Sequence, residues 1–213
     1  MTEFFPLFPL QIVAFPGEKV NLHIFEPRYK QLIGEVDEKK GSFGMPSFIK
    51  NKVSDIGTEL ELVSIVKTYP NGELDIKTVG KRRFIIREFF SQAPGKLFPA
   101  GNVEFLEDEI NDPTPDVKIS LFKRVQRLYD IMNIKRQLPE DPQDILSFEI
   151  GHHVGLNAEQ EYQLLKQRSE MDRQMYLIAH LDKLMPVVEE MEELRKKAQM
   201  NGHFKNIIPP KIG

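Results

Sequence analysis

The spacing of the apolar residues changes once along the chain, from every second position to every third or fourth. This change limits the possible folds more than any other feature of the sequence. Up to residue 110, apolar residues such as Val20, Leu22 and Ile24 alternate with polar ones, a period of two that is typical of half-buried strands. Beyond residue 118 the apolar residues recur every three or four positions, as on amphipathic helices. The polar segment 111–118 carries two prolines and predicts the boundary between the two halves.

The strand-rich half contains a hairpin and one short helix. Between residues 58 and 69, apolar residues occur at both odd and even positions, so both faces of a strand there would be partly apolar. This pattern favours a strand of a closed barrel whose outer face is also covered. Pro70-Asn71-Gly72 supplies residue types typical of a tight turn, so residues 58–80 predict a hairpin. After Glu26-Pro27-Arg28-Tyr29, apolar residues follow at offsets of 3, 4 and 7, and a short helix is expected there.

The second half predicts four helices, which begin near residues 117, 141, 157 and 169. Asp141, Asn157 and Ser169 are the expected N-caps of the last three. Pro186 lies within the apolar pattern of the last helix and is expected to bend or end that helix near Asp182. The methionines of this helix lie at near-heptad spacing, so its apolar face either pairs between copies or packs on the barrel of its own chain.

These patterns predict an α+β protein built from a β-barrel subdomain (1–110) and a helical subdomain (118–200) with one long helix. The tail 201–213 contains Asn-Gly and Pro-Pro steps and is expected to be loosely held.

Composition excludes several classes of protein. The 213 residues carry 29 Lys and Arg against 32 Asp and Glu, a net charge of −3, so nucleic-acid binding gets no support from an overall basic excess. No stretch approaches the roughly 18 apolar residues of a membrane span, and the N-terminus lacks the basic region of a signal peptide. Cysteine is absent, which excludes disulfides and thiolate sites and suits a cytoplasmic protein.

Motifs for catalysis or for cofactor binding are also missing. The five histidines show no metal-ligand spacing, and the adjacent His152 and His153 are expected to point to different faces of a helix. Neither Gly80-Lys81 nor Gly95-Lys96 has the surrounding residues of a phosphate-binding loop, and no serine stands in a G-x-S-x-G motif. We therefore predict a protein that is not an enzyme and that needs no metal and no cofactor.

Several segments together resemble a known family. They are Leu7-Phe8-Pro9-Leu10, Phe15-Pro16-Gly17, Leu22 through Tyr29, Gly80 through Phe84, Leu146-Ser147-Phe148 and Gln163-Leu164-Leu165. In sequence and order they resemble the Lon protease N-terminal (substrate-binding) domain family over residues 1–200. The resemblance implies a PUA-like pseudo-barrel followed by a helical bundle. It also implies a stand-alone substrate-binding domain that lacks the ATPase and the Ser-Lys peptidase of full-length Lon.

Glu26, Pro27, Arg28 and Tyr29 form the most specific part of this motif, and we interpret them as structural. A carboxylate at a helix N-terminus meets free N–H groups and the positive end of the helix dipole. On this interpretation, Phe25 and Tyr29 are core anchors.

Two further clusters are candidates for binding. Phe89, Phe90 and Phe98 are weak candidates for peptide contact, because adjacent strand residues face opposite ways and Phe98 lies near a loop. Lys81-Arg82-Arg83 is the densest basic cluster of the barrel, and Arg87 is expected on the same strand face as Arg83. We interpret this cluster as charge on the barrel surface, with contact to RNA as the alternative.

The predicted function is the non-catalytic recognition of protein or peptide segments. The expected partners are unfolded or degron-bearing polypeptides, with a protease as a further partner, and no membrane. An RNA-binding module that uses the PUA-like surface is the alternative, and a small-molecule pocket or an enzyme is a third.

Overall fold

The computed structural model describes the backbone of residues 2–204 and the side chains of residues 2–199. The strands are β1 (Glu3–Pro6), β2 (Lys19–Ile24), β3 (Ser42–Ile49), β4 (Lys52–Thr68), β5 (Leu74–Phe90) and β6 (Ala100–Leu106). The α-helices are α1 (Pro27–Lys39), α2 (Pro115–Met132), α3 (Ser147–Ile150), α4 (Ala158–Lys166) and α5 (Glu170–Phe204). Short 3₁₀ turns flank α3 at Pro142–Asp144 and Gly151–His153. The chain is therefore α+β, as its sequence predicted.

The six strands form one antiparallel sheet that closes on itself. Its order is β1-β6-β5-β4-β3, and β2 pairs with the first part of β5. Two parallel bridges, Leu7 to Gly44 and Leu10 to Ser47, join the chain after β1 to β3 at the far end of that order. The predicted hairpin is confirmed, because β4 and β5 pair from Thr68 and Leu74 as far as Ile56 and Ile85, around a turn in which Gly72 has a φ of +76°.

The described residues divide into two units. Residues 2–112 and 146–173 form the sheet unit, and residues 113–145 and 174–204 form the helical unit. The boundary near residue 112 falls within the predicted linker. The segment 146–173, however, groups with the sheet, whereas the sequence pattern placed it in the helical subdomain 118–200.

Contacts to the sheet explain why residues 141–155 do not form the predicted helix. Asp141 accepts a hydrogen bond from the Gln143 N–H at 2.8 Å, as an N-cap would, but the turn that follows is only three residues long. The rings of Phe148 and Phe15 stack with centroids 5.1 Å apart. A Cβ at Gly151 would lie 2.7 Å from the Phe15 ring, so the backbone passes too close to that ring for a larger residue.

The helix α1 forms where its sequence predicts it and buries the predicted residues Tyr29, Leu32, Ile33 and Val36. Tyr29 stacks on Phe8 with ring centroids 3.7 Å apart. Glu26 is the N-cap residue, yet its side chain makes no capping bond and instead pairs with Arg28, Oε2 to Nη2 at 2.7 Å. The prediction that Phe25 is a core anchor is wrong. Ile24 ends β2 facing inward, so the next side chain points outward and Phe25 is 58% exposed.

The helical unit consists mainly of α2 and the greater part of α5. Ion pairs join the two helices, from Arg124 to Asp182 at 2.7 Å and from Arg127 to Glu189 at 2.5 Å. Of the two alternatives expected for Pro186, an end of the helix near Asp182 is wrong, since α5 continues to Phe204. Residues 205–213, most of the predicted tail, lie outside the described residues. In the described part of the chain, no helix has both the length and the apolarity needed to cross a membrane.

In the sheet unit, His152 stands between two carboxylates. Its Nδ1 lies 2.7 Å from Glu161 and its Nε2 lies 3.1 Å from Glu18, and its ring centroid is 4.5 Å from that of Phe15. Burial alone would lower the pKa of His152, but the hydrogen bonds and charges of Glu161 and Glu18 outweigh burial and raise it to about 9. The imidazolium therefore joins the loop before β2 to α4.

This ion pair predicts a pH-dependent stability. Because the pKa of His152 is higher in the folded chain than the ordinary value near 6.5, its stabilisation is complete below that value and is lost as the pH rises to about 9. Between about pH 6 and pH 9.5, we expect the free energy of unfolding of the wild type to fall about 3 kcal/mol more than that of His152→Gln. Urea denaturation at both pH values measures this, and equal losses in the two proteins would contradict the assignment.

Candidate functional site

The sheet unit carries an open groove between α1 and β1, which we call the α1 groove. Its volume is about 440 Å³, and the loop 91–99 and the start of β3 complete its walls. Buried apolar residues of one core cluster form its floor: Leu32, Val36, Ala93 and Phe98. A cavity of this size accommodates one large apolar side chain together with the backbone on either side of it.

Local geometry places these floor residues. Leu32 and Val36 lie one helical turn apart on the buried face of α1. The loop 91–99 folds back through Gly95, which has a φ of +70°. The Ala93 N–H then donates to the Phe98 C=O at 2.8 Å. This turn directs the Phe98 ring inward, where only 4% of the residue is exposed.

The rim of the groove is charged with both signs. Lys96 pairs with Glu35 at 2.8 Å across the mouth, and the side chain of Gln31 accepts the Leu97 N–H at 2.9 Å. Lys39 and Glu3 also line the cavity. Since the carboxylates offset the lysines, this rim offers no excess positive charge for a phosphate group.

An exposed aromatic residue stands beside the apolar floor. Phe4 lines the groove, is 52% exposed, and lies with its ring centroid 6.0 Å from that of Phe90. Sequence reasoning did not single out Phe4, although the adjacent pair Phe4-Phe5 carries the same signal as Phe89-Phe90. In both pairs, strand alternation sends the two neighbouring rings to opposite faces.

The three predicted aromatic residues have three different positions. Phe98 is in the floor of the α1 groove, and Phe90 touches Phe4 at its edge. Phe89 pairs across the sheet with Gly101, on the opposite face from Phe90, and is 40% exposed. The structure thus brings Phe98 and Phe90 to the groove and leaves Phe89 away from it.

The basic cluster does not form a free cationic patch. Lys81 pairs with Glu61 at 2.6 Å, and Arg82 pairs with Glu59 at 2.8 Å, a bond that raises the pKa of Arg82. The prediction that Arg83 is surface charge is wrong, because that residue is only 4% exposed. Its guanidinium group bonds carbonyl groups at the end of α4 instead.

The histidines and acids of the described residues are not arranged as a metal site. No group of three or more of these side chains in residues 2–199 is arranged to hold a metal ion. His23 resembles half of a catalytic dyad, with its Nδ1 2.7 Å from Asp75. However, its Nε2 faces Glu73 at 3.2 Å, so both ring nitrogens are engaged by carboxylates and neither is directed at a nucleophile.

A closed sheet with an apolar surface groove, an exposed aromatic residue at the mouth and a rim of mixed charge has the features of a ligand-binding domain. The family model of the ATP-dependent protease La (LON) substrate-binding domain matches residues 5–183. The chain therefore belongs to this family, as the opening motif suggested.

Two solved structures have a similar fold. The Lon N-terminal domain protein from Xanthomonas campestris is 22% identical with a TM-score of 0.66, and the match covers 83% of this chain and 98% of that one. The N-terminal domain of the Mycobacterium avium complex Lon protease is 16% identical with a TM-score of 0.59, over 84% of this chain and 98% of the other. At these identities the likeness concerns the fold alone.

Proposed function

We propose that the chain binds polypeptide segments without catalysing a reaction on them, and that the α1 groove is the binding site. The observation that carries this proposal is the groove over the buried apolar residues Leu32, Val36 and Phe98, which opens to solvent beside the exposed ring of Phe4. Exposed apolar surface next to a concave apolar site is typical of interaction sites. Unfolded polypeptides display the large apolar side chains that such a floor accepts.

Membership of a substrate-binding domain family supports the same proposal. The partners would be unfolded or degron-bearing polypeptides, and a protease that degrades the bound segment would be a further partner in the cytoplasm. The whole groove lies within the segment 1–110, so the strand-rich part carries recognition.

Each aromatic residue has a role in this proposal. Phe98 provides the floor that a client side chain contacts, and Phe4 and Phe90 form the lip. Phe89 takes no part, because it faces away from the groove. Glu26 through Tyr29 act indirectly by fixing the start of α1, which supplies one wall. Affinity for a single segment should be modest, since ordering an extended client costs conformational entropy.

Two exposed phenylalanines give a matched test. Phe4 lines the α1 groove and is 52% exposed, whereas Phe25 lies outside the groove lining and is 58% exposed. We expect Phe4→Ala to weaken binding of a labelled unstructured peptide with one central Phe about tenfold, or about 1.4 kcal/mol. Phe25→Ala should leave the affinity unchanged. Fluorescence anisotropy measures both.

Equal affinities for the two variants would contradict the α1 groove as the site. A labelled single-stranded RNA serves as the second probe. Tight RNA binding that falls steeply between about 50 and 200 mM salt, with no binding of the peptide, would overturn the proposal in favour of a nucleic-acid module.

A further inference from the structure

The closed sheet has one place where neighbouring strands separate. The parallel bridges between the N-terminal segment and β3 begin only at Leu7 and Gly44. Before them, β1 pairs with β6 alone, and within residues 2–204 no strand pairs with its other edge. The α1 groove lies there, lined by residues 3–6 on one side and by Gly41 and Ser42 on the other. We call this gap the β1–β3 seam.

Hydrogen bonds beyond β1 show which of its backbone groups face the seam. The Leu7 N–H donates to the Pro99 C=O at 2.9 Å, on the β6 side. The Phe8 N–H donates to the Gly44 C=O at 2.7 Å, on the β3 side. Backbone groups of successive strand residues alternate between the two edges, so the N–H and C=O of Phe4, four residues before Phe8, face the seam. Pro6 is two residues after Phe4, so its backbone also faces the seam. The N–H that proline lacks is therefore not one that would bond to β6.

The same alternation applies to β3. Phe43 pairs with Leu60 of β4, and Gly44 directs its C=O to the Phe8 N–H. Ser42, two residues before Gly44, therefore points its N–H and C=O into the seam. Its hydroxyl group donates to Glu59 at 2.6 Å, which leaves the backbone groups as the polar groups that Ser42 presents to the groove.

We infer that the α1 groove receives its client as an extended strand, which adds to the edge of β1 at Phe4 and meets Ser42 of β3 on its other side. This inference rests on the proposed function. The N-terminal segment and β3 run parallel to each other where they are bridged, so an inserted strand is either parallel to both or antiparallel to both, and we assign the antiparallel direction. Antiparallel pairing is the more stable arrangement per residue.

Strand addition defines the class of client. Backbone hydrogen bonds supply affinity that is independent of sequence, and alternate side chains supply specificity. One side chain of the client enters the groove over Leu32, Val36 and Phe98, and its two neighbours point to the opposite face of the sheet. The groove thus selects unfolded segments with free amides and a large apolar residue, and it rejects folded helices and segments that carry proline at the paired positions.

A single N-methyl scan along the peptide with a central Phe tests this mode, because N-methylation removes one backbone donor and keeps every side chain. We expect methylation at two adjacent positions, one facing Phe4 and one facing Ser42, to weaken binding at least about tenfold. The remaining positions should change affinity by less than about twofold. An unmethylated peptide that binds with a flat scan would overturn strand addition and leave the proposed function intact. Failure of the unmethylated peptide to bind would overturn both.

The protein offers a complementary pair of variants. Phe4→Pro removes the ring and the N–H that faces the seam, whereas Phe4→Ala removes the ring alone. We expect Phe4→Pro to bind the peptide at least about threefold more weakly than Phe4→Ala, and equal affinities would contradict strand addition. If circular dichroism shows that Phe4→Pro does not fold, the peptide scan decides alone.

Sedimentation at increasing concentration tests whether a second copy of this chain occupies the seam. A dimer that the peptide dissociates would overturn the assignment of a client strand to the seam.

Discussion

Replacing Arg83 with methionine is expected to lower the free energy of unfolding by about 3 kcal/mol. The guanidinium group is buried in the sheet unit, where Nη1 donates to the carbonyl oxygens of Leu165 at 2.8 Å and Gln167 at 2.5 Å. Nη2 donates to Asp108 at 2.5 Å. Methionine fills the volume of the aliphatic stem but leaves these acceptors without their donor, so the end of α4 loses its connection to β5.

A second arginine makes this cluster more sensitive. Arg173 is also buried and donates to the other oxygen of Asp108 at 2.5 Å. Burial and the nearby charge of Arg173 lower the pKa of Arg83, while Asp108 raises it. The carboxylate of Asp108 thus pairs with the two positively charged guanidinium groups at once. The loss of either arginine leaves one oxygen of this carboxylate without its partner.

Arg87 provides the control for Arg83. The two arginines belong to the same basic stretch of β5, but Arg87 is exposed and pairs with Glu104 at 2.7 Å on the surface. We expect Arg87→Met to change the free energy of unfolding by no more than about 0.5 kcal/mol. Urea denaturation followed by far-UV circular dichroism measures both variants. If the two losses were equal, the buried network at Arg83 would not have the importance that we assign to it.

Replacing Phe84 with alanine is expected to cost about 4 kcal/mol of the free energy of unfolding. The Phe84 side chain is fully buried and meets Phe5 edge to face, with ring centroids 6.1 Å apart at 70°. A Cβ at Gly44 would lie 2.7 Å from its Cζ, and a Cβ at Gly57 would lie 2.6 Å from the same atom. The two glycines form a slot for the ring, and their rigid backbone cannot move in to fill the cavity that alanine leaves.

Phe89 lies five residues further along the same strand and is 40% exposed. Phe89→Ala should cost less than about 1 kcal/mol, since a side chain that is already 40% exposed gives up less buried surface than the fully buried ring of Phe84. Urea midpoints and slopes for the two variants give the comparison. A loss for Phe84→Ala as small as that for Phe89→Ala would mean that the slot between Gly44 and Gly57 collapses, contrary to our expectation.

Local patterns predicted much of the fold correctly. The helix α1, the hairpin of β4 and β5, and the capping box at Asn157 and Gln160 form where the sequence placed them. Each depends on residues close together in the chain: an apolar stripe at helical spacing, a turn with glycine, or a side chain that bonds the backbone three residues away. Such features are decided by short-range geometry and can be read from one segment alone.

The candidate site was only partly predictable. Phe98 was identified because it lies near a loop, and Phe90 because one ring of an adjacent pair must face outward. Phe4 and the seam were not identified, since no local pattern shows that β1 and β3 are bridged only from Leu7 onward. That opening depends on the course of two segments separated by more than thirty residues.

The sequence by itself determined the change from strands to helices along the chain, the inward face of α1 and the family to which the chain belongs. Tertiary structure alone decided that Arg83 is buried whereas Arg87 is exposed, and that residues 141–155 break into short turns. It also decided that a sheet edge remains open beside an apolar floor. The reason is physical: hydrophobic period and capping act between near neighbours, whereas burial of a charge, closure of a sheet and the shape of a groove depend on which distant segments come into contact.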